Sequence, residues 1–151
     1  MTAVANLVTQ SGADTSTRVE IDTGLVADGK SGWEIFAMQA YWVDGLSVAA
    51  ADYVVNAIVS TVDADTLFSS EDEIARVSWG LQNTGGVAVA VGYEPIKRVE
   101  LIEPRITVQP TIYVGVQSQT SGIANDIVII LYYNIVKLTD LEVLRLLAGG
   151  A

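Results

Sequence analysis

The sequence predicts an all-β fold, an antiparallel β-sandwich followed by one short C-terminal helix. Three observations predict it. Runs rich in β-branched and aromatic residues recur along the chain, several of them alternating apolar and polar. Turn chemistry separates the runs: Asp28-Gly29, Asp44-Gly45, Asn83-Thr84-Gly85-Gly86, Glu94-Pro95, Glu103-Pro104, Gln109-Pro110 and Thr120-Ser121-Gly122. The pattern changes only at Thr139-Asp140-Leu141-Glu142, a capping box that opens a helix.

The predicted strands are Thr17–Ile21, Trp33–Trp42, Tyr53–Val62, Glu73–Gln82, Val87–Tyr93, Lys97–Ile102, Thr111–Ser118 and Ile127–Leu138. Short strands at regular spacing suggest a sandwich or barrel, and eight is the jelly-roll number. In Glu73–Gln82 one face carries Ala75, Val77, Trp79 and Leu81 and the other Arg76, Ser78 and Gln82, which marks a half-buried strand. Two strands differ, being apolar on both faces. In Trp33–Trp42, strict alternation sets Trp33, Ile35, Ala37 and Tyr41 against Phe36, Met38, Ala40 and Trp42. In Ile127–Leu138 it sets Ile127, Ile129, Leu131, Tyr133 and Ile135 against Val128, Ile130, Tyr132, Val136 and Leu138. A sandwich hides one face of each sheet, so the second apolar face calls for a loop, a helix or another subunit. Residues 1–14 are expected to form an N-terminal arm that docks through Val4, Leu7 and Val8. Residues 15–138 form the sandwich, and 139–151 the helix and tail.

The 151 residues fit one domain with a real core. Half are hydrophobic, yet the formal net charge is -10. A subunit of a larger assembly satisfies both facts, with apolar surface for its neighbours and charge for solubility. No histidine or cysteine is present. Disulfides, thiolate and histidine metal sites, cysteine nucleophiles and Ser-His-Asp catalysis are thereby excluded. Eight basic residues against eighteen acidic ones argue against a nucleic-acid-binding role. The first residues lack the basic and apolar regions of a secretion signal, and no apolar run approaches the roughly 20 residues of a membrane-spanning helix.

In the terminal helix, Thr139 caps the first turn and Glu142 reaches back to it. Asp140 suits the positive end of the dipole and Arg145 lies nearer the negative end. Gly149-Gly150 supplies a stop. Alone so short a helix is marginal, because nucleation is costly. Ordering about ten residues costs roughly 10–20 kcal/mol. Burying Leu141, Val143, Leu144, Leu146 and Leu147 returns about 8–15 kcal/mol. The helix is therefore expected to dock, on its own sandwich or on a neighbour.

Other clusters are weaker signals. Asp63, Asp65, Glu71, Asp72 and Glu73 have the chemistry of a calcium or magnesium loop. Phe68 stands where a calcium-binding helix-loop-helix needs glycine, so a solvated loop is the preferred reading and no metal or cofactor is expected. Asn83–Gly86 lacks any phosphate-loop continuation and reads as a hairpin turn. Trp33, Tyr41, Trp42 and Trp79 suit either a sugar-stacking platform or a core and interface.

The stretch Val114-Gly-Val-Gln-Ser-Gln-Thr-Ser-Gly-Ile-Ala-Asn-Asp-Ile-Val-Ile-Ile-Leu-Tyr-Tyr-Asn-Ile-Val-Lys-Leu-Thr-Asp140 is similar to the last hairpin of a single jelly-roll viral coat protein. The strand pattern over most of the chain resembles that family too. The resemblance implies two packed four-stranded sheets and a capsid subunit of the virion, assembling with copies of itself, with other capsid proteins as the further candidate partners. Many such coats carry a basic N-terminal arm for the genome, whereas Met1–Asp14 has no Lys or Arg. The resemblance therefore implies no direct nucleic-acid binding, and better fits a shell with an internal membrane or another protein beneath it. Trp33, Phe36, Trp42, Tyr132, Tyr133, Leu141, Leu144 and Leu147 are the expected subunit interface. The competing reading is a sandwich binding module, lectin- or adhesin-like, using the Trp and Tyr side chains. An enzyme has no recognisable site.

Overall fold

A computed structural model describes residues 1–10, 16–25, 29–43, 53–62, 73–84, 87–90, 94, 96–119 and 125–148. These residues form nine strands, patterned with period two, and one helix, opened by the capping box. The strands are β1 (Thr2–Gln10), β2 (Ser16–Asp22), β3 (Ser31–Trp42), β4 (Tyr53–Ser60), β5 (Glu73–Thr84), β6 (Val87–Ala90), β7 (Ile96–Thr107), β8 (Thr111–Gln119) and β9 (Asn125–Lys137). The helix is α1 (Asp140–Ala148). They form two antiparallel sheets, ordered β1-β9-β3-β7 and β2-β8-β4-β5-β6.

That order is a jelly roll. The outermost strands in sequence pair with each other, β1 with β9, and the next pair inward, β2 with β8, lies in the opposite sheet. Continuing inward, β3 pairs with β7 and β4 with β5. The chain is thus one long hairpin wrapped over two sheets, the double Greek key. Eight strands make the roll, and the short β6 is added at the edge of the second sheet. The segment expected to be an arm is instead the edge strand β1, in continuous register with β9 from Thr2↔Tyr133 to Gln10↔Asn125. Its core-facing residues are Val4, which is partly buried, and Val8, which is fully buried. The terminal hairpin read from Val114–Asp140 is also corrected. β8 and β9 lie in different sheets and do not pair as a hairpin.

The core fills the space between the sheets. Val8, Ile35, Met38, Ala40, Ile127, Ile129 and Leu131 come from one side, and Val55, Ala57, Val59, Trp79, Ile112, Val114 and Val116 from the other. Each fully buried aliphatic side chain contributes about 1.5–3 kcal/mol. Trp42 and Trp79 meet edge to face at 5.5 Å and 70°. The Trp79 indole donates to the Glu94 carbonyl at 2.9 Å, so its one polar atom is satisfied.

A bulge explains the doubly apolar β3. In the ladder with β9, Ile35 pairs with Tyr133 and Ala37 with Tyr132, leaving Phe36 as an extra residue. One inserted residue swaps the faces of everything after it. Trp33 and Ile35 point into the core before the bulge, and Met38, Ala40 and Trp42 after it. Against β7 the break is larger: Ile35 pairs with Arg105 and Ala37 with Glu100, so Phe36 and residues 101–104 stand outside the ladder. β7 therefore runs on past the predicted Glu103-Pro104 turn, and its edge position tolerates the proline.

Candidate assembly surface

The sandwich has two outer faces, and their side chains differ. On the four-stranded sheet, three cross-strand rungs span all four strands. They read Leu7–Val128–Tyr41–Ile96, Ala5–Ile130–Gln39–Arg98 and Ala3–Tyr132–Ala37–Glu100. The first is wholly apolar, and its outer members Leu7 and Ile96 are 54% and 56% exposed. Within these three rungs the charges are Arg98 and Glu100, which pair with each other at 2.6 Å. The same face carries Glu34, which accepts from Asn134 Nδ2, and Asp126 opposite Thr9. The Arg98 guanidinium also lies 4.5 Å over the Tyr132 ring, a cation–π placement. Tyr132 donates its hydroxyl to the Gln39 side-chain Oε1 at 3.1 Å.

The matching rungs on the five-stranded sheet read Ser16–Gln117–Asn56–Ser78, Arg18–Gly115–Ile58–Arg76 and Glu20–Tyr113–Ser60–Glu73. Here polar groups bond within the face. Ser78 donates to the Asn56 carboxamide, and Arg76 is bound to Glu73 by a guanidinium–carboxylate pair. This face suits water.

The third component is α1. Its root is fixed. Leu138 is buried, and its backbone N–H donates to the Lys30 carbonyl at 2.8 Å. Gly32 makes room for it. A Cβ there would stand 3.0 Å from Leu138 Cδ1, 3.1 Å from Ile106 Cγ2 and 3.1 Å from the Thr107 carbonyl oxygen. Lys30 pairs with Asp140 at 3.1 Å. The predicted capping box is formed: Thr139 donates its N–H to Glu142 at 2.7 Å, and the Glu142 N–H reaches the Thr139 hydroxyl at 3.4 Å. The bonds from the Thr139 backbone and side chain hold the Glu142 carboxyl below its usual range. Beyond this root the helix has no fully buried residue: Val143 and Leu146 are half-buried, and Leu141, Leu144 and Leu147 are 44–63% exposed. No helix among the described residues is long and apolar enough to cross a membrane.

The residues expected at the interface divide three ways. Trp33, Trp42 and Tyr133 are core residues, which corrects that expectation. Trp33 stacks on Tyr133 at 3.6 Å and 12°, and Trp42 packs on Trp79. Their burial follows from the bulge for Trp42 and from strand parity for the other two. Phe36 and Tyr132 are half-buried on the outer side of the sheet. Leu141, Leu144 and Leu147 stand on the exposed helix. Sequence reasoning named Leu7 as a docking residue and Val128 on a second apolar face but did not join them to each other or to Ile96, because their grouping depends on long-range pairing. With Trp33, Trp42 and Trp79 in the core, the sugar-stacking platform keeps only Tyr41. Of the acidic cluster, Glu73 is bound to Arg76, and Asp63, Asp65, Glu71 and Asp72 lie outside the described residues. The expected hairpin turn Asn83–Gly86 joins strands paired at Thr84↔Val87, with Gly85 and Gly86 outside the described residues.

The fold and this surface define a single jelly-roll sandwich with one apolar outer face and an unpartnered C-terminal helix. No protein-family model matches the chain, and no curated protein matches it. Among solved structures, it is similar to a chain of tomato aspermy virus, with 13% identity and a TM-score of 0.41 over 86% of this chain and 76% of that one. It is similar to a chain of desmodium yellow mottle tymovirus, with 8% identity and a TM-score of 0.33 over 92% and 90%. A third is a Kashmir bee virus empty particle at acidic pH, with 9% identity and a TM-score of 0.38 over 92% and 79%. The jelly-roll assignment itself rests on the strand order and register.

Proposed function

We propose that this chain is a structural subunit that assembles with copies of itself into a viral shell, with the virion as its location. The observation that carries the reading is α1, fixed at its root and unpartnered along Leu141, Leu144 and Leu147. Only Thr139 separates the buried Leu138 from the helix, so α1 has little chain with which to fold back over its own sheet. Its apolar side is therefore assigned to a neighbouring copy. The apolar rungs of the four-stranded sheet supply further surface of the same chemistry. Copies carrying -10 each repel one another. Contacts are therefore favoured where acids are absent or paired, as in those rungs. Other shell proteins, or a membrane beneath the shell, would then face the genome.

The test is light scattering and electron microscopy of the full chain beside a chain truncated after Leu138. The full chain is expected to form closed or extended assemblies. The truncated chain is expected to stay small with a melting temperature close to that of the unassembled subunit, because α1 has no fully buried residue, only Val143 and Leu146 being half-buried. Assemblies unchanged by the truncation would overturn the role given to the helix. A full chain that stays monomeric across salt and concentration would overturn the shell.

A further inference from the structure

The edges of the two sheets are not equally protected. An edge strand presents unpaired N–H and C=O groups, and chains normally blunt it with charge, proline, a bulge or short length. β7 carries Lys97, Arg98, Glu100, Glu103 and Arg105, with Pro104 and the break in its ladder. β2 carries Arg18, Glu20 and Asp22. β6 is only 4 residues long. β1 has none of these devices. Its 9 residues, Thr-Ala-Val-Ala-Asn-Leu-Val-Thr-Gln, contain no charge and no proline and keep unbroken register with β9. Among the described residues nothing pairs with its other side.

We propose that β1 pairs edge to edge with β1 of a second copy, antiparallel about a two-fold axis at Asn6, making one eight-stranded sheet from two four-stranded ones. The proposal rests on the self-assembly reading and names one of its contacts. Three observations select a second copy as the occupant. Antiparallel pairing of one strand with itself is self-complementary, as a two-fold contact requires. β1 holds none of the chain's 18 acidic residues, so two copies meet there without the repulsion their net charge imposes elsewhere. A basic partner would find nothing on β1 to grip. The third observation is Asn6. Its Nδ2 is buried and finds no acceptor among the described residues. A two-fold axis at Asn6 sets the two Asn6 side chains opposite each other, with Cβ atoms about 4.5–5.5 Å apart, so each carboxamide offers the other an acceptor. On the outer side Ala3 and Ala5 are small, and Leu7 carries the apolar rung towards the axis.

The experiment uses the full chain, which has no cysteine of its own. Under oxidation, Asn6→Cys is expected to give a covalent dimer, whereas Glu100→Cys, on the opposite edge strand, is not. Ala5→Lys places a charge in the pairing and is expected to lower the mass of the smallest stable species about twofold by light scattering, with an unchanged melting transition of the subunit. If Ala5→Lys also lowers the melting transition, the cross-link decides. Assemblies that persist in Ala5→Lys, with no cross-link through Asn6→Cys, overturn the edge pairing and leave the shell reading standing. A wild-type chain that is monomeric throughout overturns both.

Discussion

The two outer faces of this sandwich are built from the same number of rungs across the same number of strands, yet they answer to different solvents. On the five-stranded sheet the rungs hold serines, Asn56, Gln117, two arginines and two glutamates, with bonds running between them. On the four-stranded sheet they hold alanines, Leu7, Val128, Ile130, Ile96 and two tyrosines, with one neutralised ion pair. The difference separates a face whose polar groups bond to one another from a face whose rungs are mainly apolar, and the proposed assembly places its contacts on the second.

The sharpest way to test this division starts with the core that separates the faces. Trp33→Ala is expected to destabilise the subunit by about 3–5 kcal/mol in chemical denaturation, the cost of a large aromatic cavity. An effect on assembly alone would return Trp33 to the surface. Next, Leu7→Ser combined with Ile96→Ser should leave subunit stability within about 0.5 kcal/mol. The same pair should raise the concentration needed for assembly roughly a hundredfold, since covering each side chain is worth about 1.5 kcal/mol or more. On the opposite face the pattern should reverse. Asn56→Ala removes the acceptor of Ser78 and should cost the subunit about 0.5–1.5 kcal/mol with no change in assembly. The smallest effect belongs to the helix cap. The Glu142 carboxyl is held below its ordinary 4.5, so its contribution to the folded helix is complete above that pH. It is lost as the pH falls through the lowered value. Circular dichroism should show fraying of α1 on acidification in the wild type but not in Glu142→Gln, which keeps a side-chain acceptor at the cap without a titrating group.

Where the sequence was legible, the signals were local. The capping box at Thr139–Glu142 required only four adjacent residues, and the helix begins as it predicts. β5 announced itself by clean alternation from Ala75 to Trp79. Where it was not legible, the cause was either a single inserted residue or a distant partner. The bulge at Phe36 leaves no trace in composition, yet it moves Trp42 from an expected outer face into the core. β1 reads as a weakly patterned arm because Ala3, Ala5 and Asn6 blur the alternation, and its partner β9 lies near the other end of the chain. The candidate surface was half visible. Leu141, Leu144 and Leu147 could be named from helical spacing, whereas Leu7, Val128, Tyr41 and Ile96 become neighbours only once four strands from four separate stretches of the chain are side by side.

The pairing of β1 with β9 also sets a timetable. During synthesis β1 is made early, and the strand that completes its ladder arrives only after β8 has been laid down on the other sheet. Long-range pairing of this kind is slow, because loop closure must be met before the contacts reward it. An uncharged strand waiting for its neighbour is an aggregation hazard over that interval. The same arrangement acts as a delay: the outer face of the four-stranded sheet comes into being only once β9 has been translated and has paired with both β1 and β3.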